Sequence, residues 1–251
     1  MKEKNELYGL LPGLGQGITR VTISYPFDVI KVQMQKLYFN NMKDTFTDIV
    51  KNDPFKFYRG SSISYITVGL ERSIQFYYLE KFNEKKINPI LSSFGMSLFS
   101  SIYNIPVQYI TTNIAITKNP KETTYNYIKK LLIDRTNIYK GFTIETPKNI
   151  LGSTIFLSSY YSIRNHFGDN KYLSPFYGAF SGIILWSVIF PIDTIRTEYQ
   201  TSNNKIIDII KNRYYNYGLK SFYRGISSIY IRTIPSTSLG MFVYEMIRNN
   251  I

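Results

Sequence analysis

The chain has 251 residues with a formal net charge of +13, from 30 Lys and Arg against 17 Asp and Glu, and it is 44% apolar and 16% aromatic. That length suits one large domain or two small ones, and that composition buries a core easily. Cysteine is absent and His166 is the single histidine, which excludes disulfides and thiolate metal sites and argues against a zinc site.

In chain order, Met1–Glu6 is charged and residues 7–17 are glycine-rich, so no cleavable signal peptide is expected. Residues 7–36 read as a first long helix with Pro26 inside it. The glycines of Gly13-Leu14-Gly15-Gln16-Gly17 lie in that helix pattern, without the strand and lysine of a phosphate-binding loop. Residues 44–52 place Phe46, Ile49 and Val50 at helical spacing and predict a short surface helix. Tyr58-Arg59-Gly60 then opens a helix from 61 to about 83. A long helix follows through Pro106 to about 118, then a short one at 125–133 and a long one at 142–166. The last third repeats the order: 172 through Pro191 to about 200, 206–213, and 226–248.

No charge occurs between Lys86 and Lys118, or between Lys171 and Asp193. Each run is long enough to cross about 30 Å of hydrocarbon as a helix. The other long helices carry charges, which a membrane helix tolerates where it lines a wet cavity. The pattern predicts six helices around a polar interior. Basic residues are spread between these helices instead of forming one block. An anionic lipid or an anionic solute is therefore the expected partner, and nucleic acid is not.

Two marks recur in phase. Pro26-Phe27-Asp28-Val29-Ile30-Lys31, Pro106-Val107-Gln108-Tyr109-Ile110-Thr111 and Pro191-Ile192-Asp193-Thr194-Ile195-Arg196 lie 80 and 85 residues apart. Tyr58-Arg59-Gly60, Tyr139-Lys140-Gly141 and Tyr223-Arg224-Gly225 lie 81 and 84 apart. A shared period means an internal threefold repeat: one domain over 1–251, with repeats 1–86, 87–169 and 170–251. Proline bends a helix, so three in phase would draw three helices together at one end. Gly13 and Gly17, Ser93 and Ser97, and Gly178 and Gly182 precede the prolines at matched distances, and small residues at that spacing let membrane helices approach closely.

Single residues carry the site reading. Arg232 sits mid-helix, three residues before Pro235, and is costly there unless it binds an anion or forms a structural salt bridge. Lys148 follows Pro147 and either faces the cavity or snorkels to water. Arg72 faces the cavity or pairs with Glu71 or Gln75. Trp186 lies two turns before Asp193, on the same face, where it stacks on a planar ligand or packs against a helix; by the same count Val21 and Ser101 line the lumen. Converging cations favour a polyanion, phosphate best, and a cavity aromatic adds a partner for a base. A nucleotide is the first expectation, with a carboxylate or another small anion open. No catalytic constellation, cofactor loop or metal-ligand spacing is present in the sequence, so an enzyme is not expected.

These motifs resemble the mitochondrial carrier family. Its pattern is Pro-x-[Asp/Glu]-x-x-[Lys/Arg] on odd helices, an aromatic-basic-Gly mark before even helices and [Phe/Tyr]-[Asp/Glu]-x-x-[Lys/Arg] near their ends. The last is whole at Tyr244-Glu245-Met246-Ile247-Arg248 and partial around Glu80 and Asn83 and around Tyr161 and Arg164. The resemblance implies an all-α membrane protein with six transmembrane helices in three tandem two-helix repeats and threefold pseudosymmetry. It implies a multi-pass monomer of the mitochondrial inner membrane, working by alternating access and touching anionic lipid such as cardiolipin. Carried over, the matrix gate is Pro26, Asp28, Lys31, Gln33, Pro106, Gln108, Thr111, Pro191, Asp193 and Arg196. Asp193 pairs with Lys31, Asp28 faces Thr111, Arg196 faces Gln108, and Gln33 braces a pair from beneath, with Asn113 and Glu198 at the equivalent places. The cytoplasmic gate is Glu80, Asn83, Tyr161, Arg164, Glu245 and Arg248. The implied substrate contacts are Thr67, Lys148 with Asn149, and Arg232. Lys148-Asn149 departs from the pair usual in nucleotide carriers. The short chain, rich in Ile, Asn, Lys and Tyr, is similar to compact carriers of giant DNA viruses, which implies cargo such as dATP, dTTP or ADP in a host mitochondrion. The neutral residues at Gln108, Thr111, Asn83 and Tyr161 keep a non-transporting scaffold as the alternative.

Overall fold

A computed structural model describes residues 2–70, 89–116, 124–133, 139–168 and 173–249. The long helices among them are α1 (Lys2–Gln35), α4 (Pro89–Ile116), α6 (Phe142–Phe167), α7 (Ser174–Gln200) and α9 (Ile226–Asn249). Shorter ones are α2 (Met42–Asn52), α5 (Thr124–Ile133) and α8 (Ile206–Tyr217). A further helix, α3, occupies residues 61–70. Pro26, Pro106 and Pro191 all lie inside their helices, as do Pro147 and Pro235.

α1 packs most extensively along α9, α6 along α7, α4 against α6, and α7 against α9. α1, α4 and α7 each touch both of the others. Close approach is visible where α1 meets α3: a Cβ on Gly17 would fall 2.7 Å from the Cα of Gly69. Only small residues allow backbones that near. Gly182 likewise faces Thr233 of α9. Val21, expected in the lumen, is instead buried in a cluster with Tyr25, Val29, Ile30, Val32 and Met34 of α1, Ile49 of α2 and Ala115 of α4. Seven residues make only approximately two turns, and the packing of α1 against α2 and α4 decides which of its faces is covered.

The turns into the even helices have a common form. 3-10 segments at Pro54–Tyr58 and Leu219–Tyr223 precede Gly60 and Gly225, whose φ values are +86° and +91°. Gly141 before α6 has φ +99°. Side chains other than hydrogen rarely tolerate that region. At Gly225 there is also little room, since a Cβ would lie 3.1 Å from the carbonyl oxygen of Lys31. This glycine brings the start of α9 onto the end of α1.

The distribution of polarity is reversed from that of a water-soluble bundle. Ile18, Ile66, Phe176, Phe180, Val188, Ile234 and Phe242 are exposed, while Gln35, Glu145, Ser181, Asp193 and Arg232 are buried. An apolar outside around a charged inside fits hydrocarbon surroundings. By length and composition alone, one helix among the described residues, Phe176–Gln200, is apolar enough to cross a membrane. Buried polar residues lie on this helix, Ser181, Asp193 and Arg196 among them, and on others, as with Glu145 and Lys148 of α6 and Arg232 of α9.

Candidate functional site

Where α1 and α7 converge, Lys31 Nζ lies 2.5 Å from Asp193 Oδ2. Asp193 is fully buried, and one cation does not account for its surroundings. Its Oδ1 also meets Lys148 Nζ of α6 at 3.1 Å and Arg196 Nη2, one turn along α7, at 3.0 Å. Those two cations in turn flank Glu145 of α6: Lys148 Nζ at 2.8 Å from Oε1 and Arg196 Nε at 3.2 Å from Oε2. Both contacts of Glu145 are buried ion pairs, one within α6 and one across to α7. A separate pair lies beside this network, Arg232 of α9 to Asp28 of α1 at 3.1 Å. Asp28 is its accessible member, with 37% of its side chain exposed against 8% for Arg232.

Trp186 joins the two groups. Lys31 Nζ lies 5.2 Å and Arg232 Cζ 5.7 Å from its ring centroid. A cation over an indole face is attracted by the ring quadrupole, and more strongly away from water. The ring also meets Phe190 edge-on at 6.4 Å. So the indole, half-buried, sits between the Lys31–Asp193 network and the Arg232–Asp28 pair.

Several expected partners differ. Gln33 donates towards the carbonyl oxygen of Ala115 at 3.4 Å and does not brace the pair. Gln35 does so: its Nε2 lies 3.0 Å from Asp193 Oδ2 and 3.2 Å from Thr194 Oγ1. The reason is helical phase. Four residues return to the face of Lys31, and two turn to the opposite one. The same spacing puts Gln200 under Arg196, whose Nη1 donates to Gln200 Oε1 at 2.8 Å. At the two places equivalent to Gln33, Asn113 donates to the carbonyls of Tyr109 and Gln200, and Glu198 pairs with Arg213 at 3.0 Å.

Asp28 meets Arg232 and not Thr111, whose hydroxyl donates to the carbonyls of Val107 and Gln108 in its own helix. Arg196 meets Asp193 and Glu145 and not Gln108. The physical reason is reach and charge: a buried guanidinium takes the carboxylates nearest to it in preference to a neutral amide. Lys148 lies inside the network, tied to two carboxylates, and does not point freely at a substrate. Thr67 donates to Ile63 O within α3 at 2.9 Å, and Asn149 is half-buried beside Lys148. Arg72, Glu80 and Asn83 lie outside the described residues, as do the side chains of Ser101, Tyr161, Glu245 and Arg248. Arg164 is half-buried on α6.

Three residues were missed by the sequence reading. Glu145 and Gln35 carry no mark of their own, although Gln35 and Gln200 stand four residues after Lys31 and Arg196. Arg213 of α8 is the third. It is almost fully buried, donates to Glu198, Ser221 O and Gln35 O, and lies over the Phe222 ring. It ties the surface helix to the ends of both α1 and α7.

Comparison with known proteins gives a consistent picture. The family model described as mitochondrial carrier protein matches residues 2–89 and 172–251. The chain is 24% identical to the glutamate/glycine mitochondrial carrier ymc1 of Schizosaccharomyces pombe, over 96% of this chain and 93% of that protein. It is 25% identical to the mitochondrial ornithine transporter 1 of the same yeast, over 90% and 86%. It is also 21% identical to mitoferrin-1 of Danio rerio, over 94% and 82%.

Proposed function

The chain belongs to the mitochondrial carrier protein family, whose members are transporters and not enzymes, and from that premise we propose that it moves a small carboxylate-bearing solute across the mitochondrial inner membrane. The mechanism is alternating access. Three repeats, 1–86, 87–169 and 170–251, form one multi-pass monomeric domain with six spans and threefold pseudosymmetry. The recurrent positive-φ glycines at 60, 141 and 225 support that repeat. The cluster around Lys31 and Asp193 is the matrix gate. Glu80, Asn83, Tyr161, Arg164, Glu245 and Arg248 form the cytoplasmic one. Basic residues between the helices meet anionic lipid such as cardiolipin.

The observation that carries the cargo reading is the Arg232–Asp28 pair. A guanidinium recognises a carboxylate by charge-assisted hydrogen bonds, and the neighbouring exposed carboxylate suits the ammonium of an amino acid. Charge balance points the same way. Among the described residues at the site, Lys31, Lys148, Arg196 and Arg232 stand against Asp28, Glu145 and Asp193. One positive charge is left over, which matches a monoanion better than a triphosphate. Of the amino acids named for the relatives, glutamate carries a single net negative charge and is the first to test, with glycine, of no net charge, and ornithine, a cation, as the contrasts.

A nucleotide such as dATP, dTTP or ADP is the second reading, favoured by Trp186 beside Arg232, where an indole could stack on a base. Uptake into proteoliposomes, preloaded or empty, decides between them. Saturable uptake of an amino acid, lowered about a hundredfold or more by Arg232→Ala, is the expected result, in line with the loss of a charge-assisted contact in a desolvated site. Saturable uptake of nucleotides alone would replace it with the second reading. No uptake of either class by folded protein would leave the scaffold.

A further inference from the structure

The middle repeat lacks both charges of the motif that α1 and α7 carry, since Gln108 and Thr111 stand in their places. A ring of pairs built on α1, α4 and α7 alone would leave Arg196 facing an amide. In the structure Arg196 does not go without an acid. It lies between Asp193 of its own helix and Glu145 of α6, 3.0 and 3.2 Å away. Glu145 is fully buried, in the first turn of α6. Thr111 bonds within α4, and Gln108 makes no side-chain polar contact among the described residues.

We infer that Glu145 is a matrix-gate residue that supplies from α6 the acid missing at Gln108 of α4, so that the gate locks α7 against α6. Lys148, three residues on, closes the circuit by touching both Glu145 and Asp193. Opening the matrix side therefore requires α6 and α7 to part, which breaks Lys148–Asp193 and Arg196–Glu145 together and leaves each cation with the carboxylate of its own helix. Only the contacts that cross from α6 to α7 are lost in such a shift, since Glu145–Lys148 and Asp193–Arg196 each lie one turn apart on a single helix. An acid placed this deep without a pairing role would be costly to keep, because removing a carboxylate's partners in a buried site leaves an uncompensated charge.

The inference rests on the carrier and gate reading above, and the test separates the two. Transport is measured for wild type, Lys31→Gln, Glu145→Gln, Gln108→Glu and the double variant Gln108→Glu with Glu145→Gln. Glu145→Gln is expected to change the maximal rate about tenfold, with apparent KM moved less than about twofold, since the gate is altered and not the Arg232 contact. Restoring an acid on α4 in the double variant is expected to bring the rate back to within about twofold of wild type, as coupled neighbours in one network do. Rescue from α4 is something a purely local structural role of Glu145 would not give.

A large KM change, or no rescue by Gln108→Glu, overturns the inference. If Glu145→Gln does not fold, the same comparison is read from thermal unfolding in detergent: recovery of a cooperative transition in the double variant supports it, and failure of both overturns it. An inert wild type would sink the carrier reading itself. An active wild type that responds to Lys31→Gln but not to Glu145→Gln would sink only this inference.

Discussion

Gln33 and Gln35 differ by two positions on one helix and by everything in what they touch. Gln35 is buried against Asp193, whereas Gln33 reaches a carbonyl of α4. Gln35→Ala is therefore expected to lower stability in detergent by about 1–3 kcal/mol, because it removes a donor from a buried carboxylate. Gln33→Ala should cost less, by about 1 kcal/mol, the worth of a long neutral hydrogen bond. Thermal unfolding of both variants checks the order, and equal losses would argue against the brace. The charged positions here were legible because Asp28, Lys31, Asp193 and Arg196 stand at fixed offsets from the prolines. Their partners were less so. Sequence offsets say which face a residue occupies, but not which neighbouring helix arrives there. Glu145 and Lys148 form an i,i+3 pair of the kind that decorates many helix surfaces, and only packing reveals that this one is buried against α7.

Helix boundaries were close to those read from periodicity. α8 runs to Tyr217 where the sequence suggested Arg213, and α1 begins at Lys2 instead of residue 7. Apolar spacing governs helix existence, while ends depend on local contacts. Arg213 shows this at α8: its buried side chain bonds to Ser221 O and so anchors the chain beyond the helix. The glycine marks were read as signs of a repeat, and their physical reason lies in the turns. Gly225 holds a left-handed φ directly against the Lys31 backbone. Gly225→Ala is expected to destabilise by more than about 1 kcal/mol, from backbone strain alone, with the crowding added. Gly178→Ala is the control, since a Cβ there meets nothing within 4 Å. It should be neutral or slightly stabilising, as helix propensity favours alanine. A similar loss at both sites, measured by thermal unfolding, would count against the close approach of α9 to α1.

At the scale of the molecule, the surplus of one positive charge at the site has an electrical consequence. An inner membrane holds a potential, and each elementary charge moved through 100 mV costs about 2.3 kcal/mol. Four cations against three carboxylates leave the empty cluster positive. The proposed cargo, with a single net negative charge, would cancel that surplus and make the loaded site electrically silent. The empty one is not. A matrix-negative potential, imposed on vesicles by a potassium gradient with an ionophore, is predicted to leave exchange between preloaded vesicles and medium nearly unchanged. It is predicted to alter uptake into empty vesicles several-fold, because only there must the unloaded site cross the field. Equal sensitivity in both would place the surplus charge outside the field. With the predicted asymmetry, the membrane's own voltage would discourage empty return strokes and make one-for-one exchange the cheaper cycle.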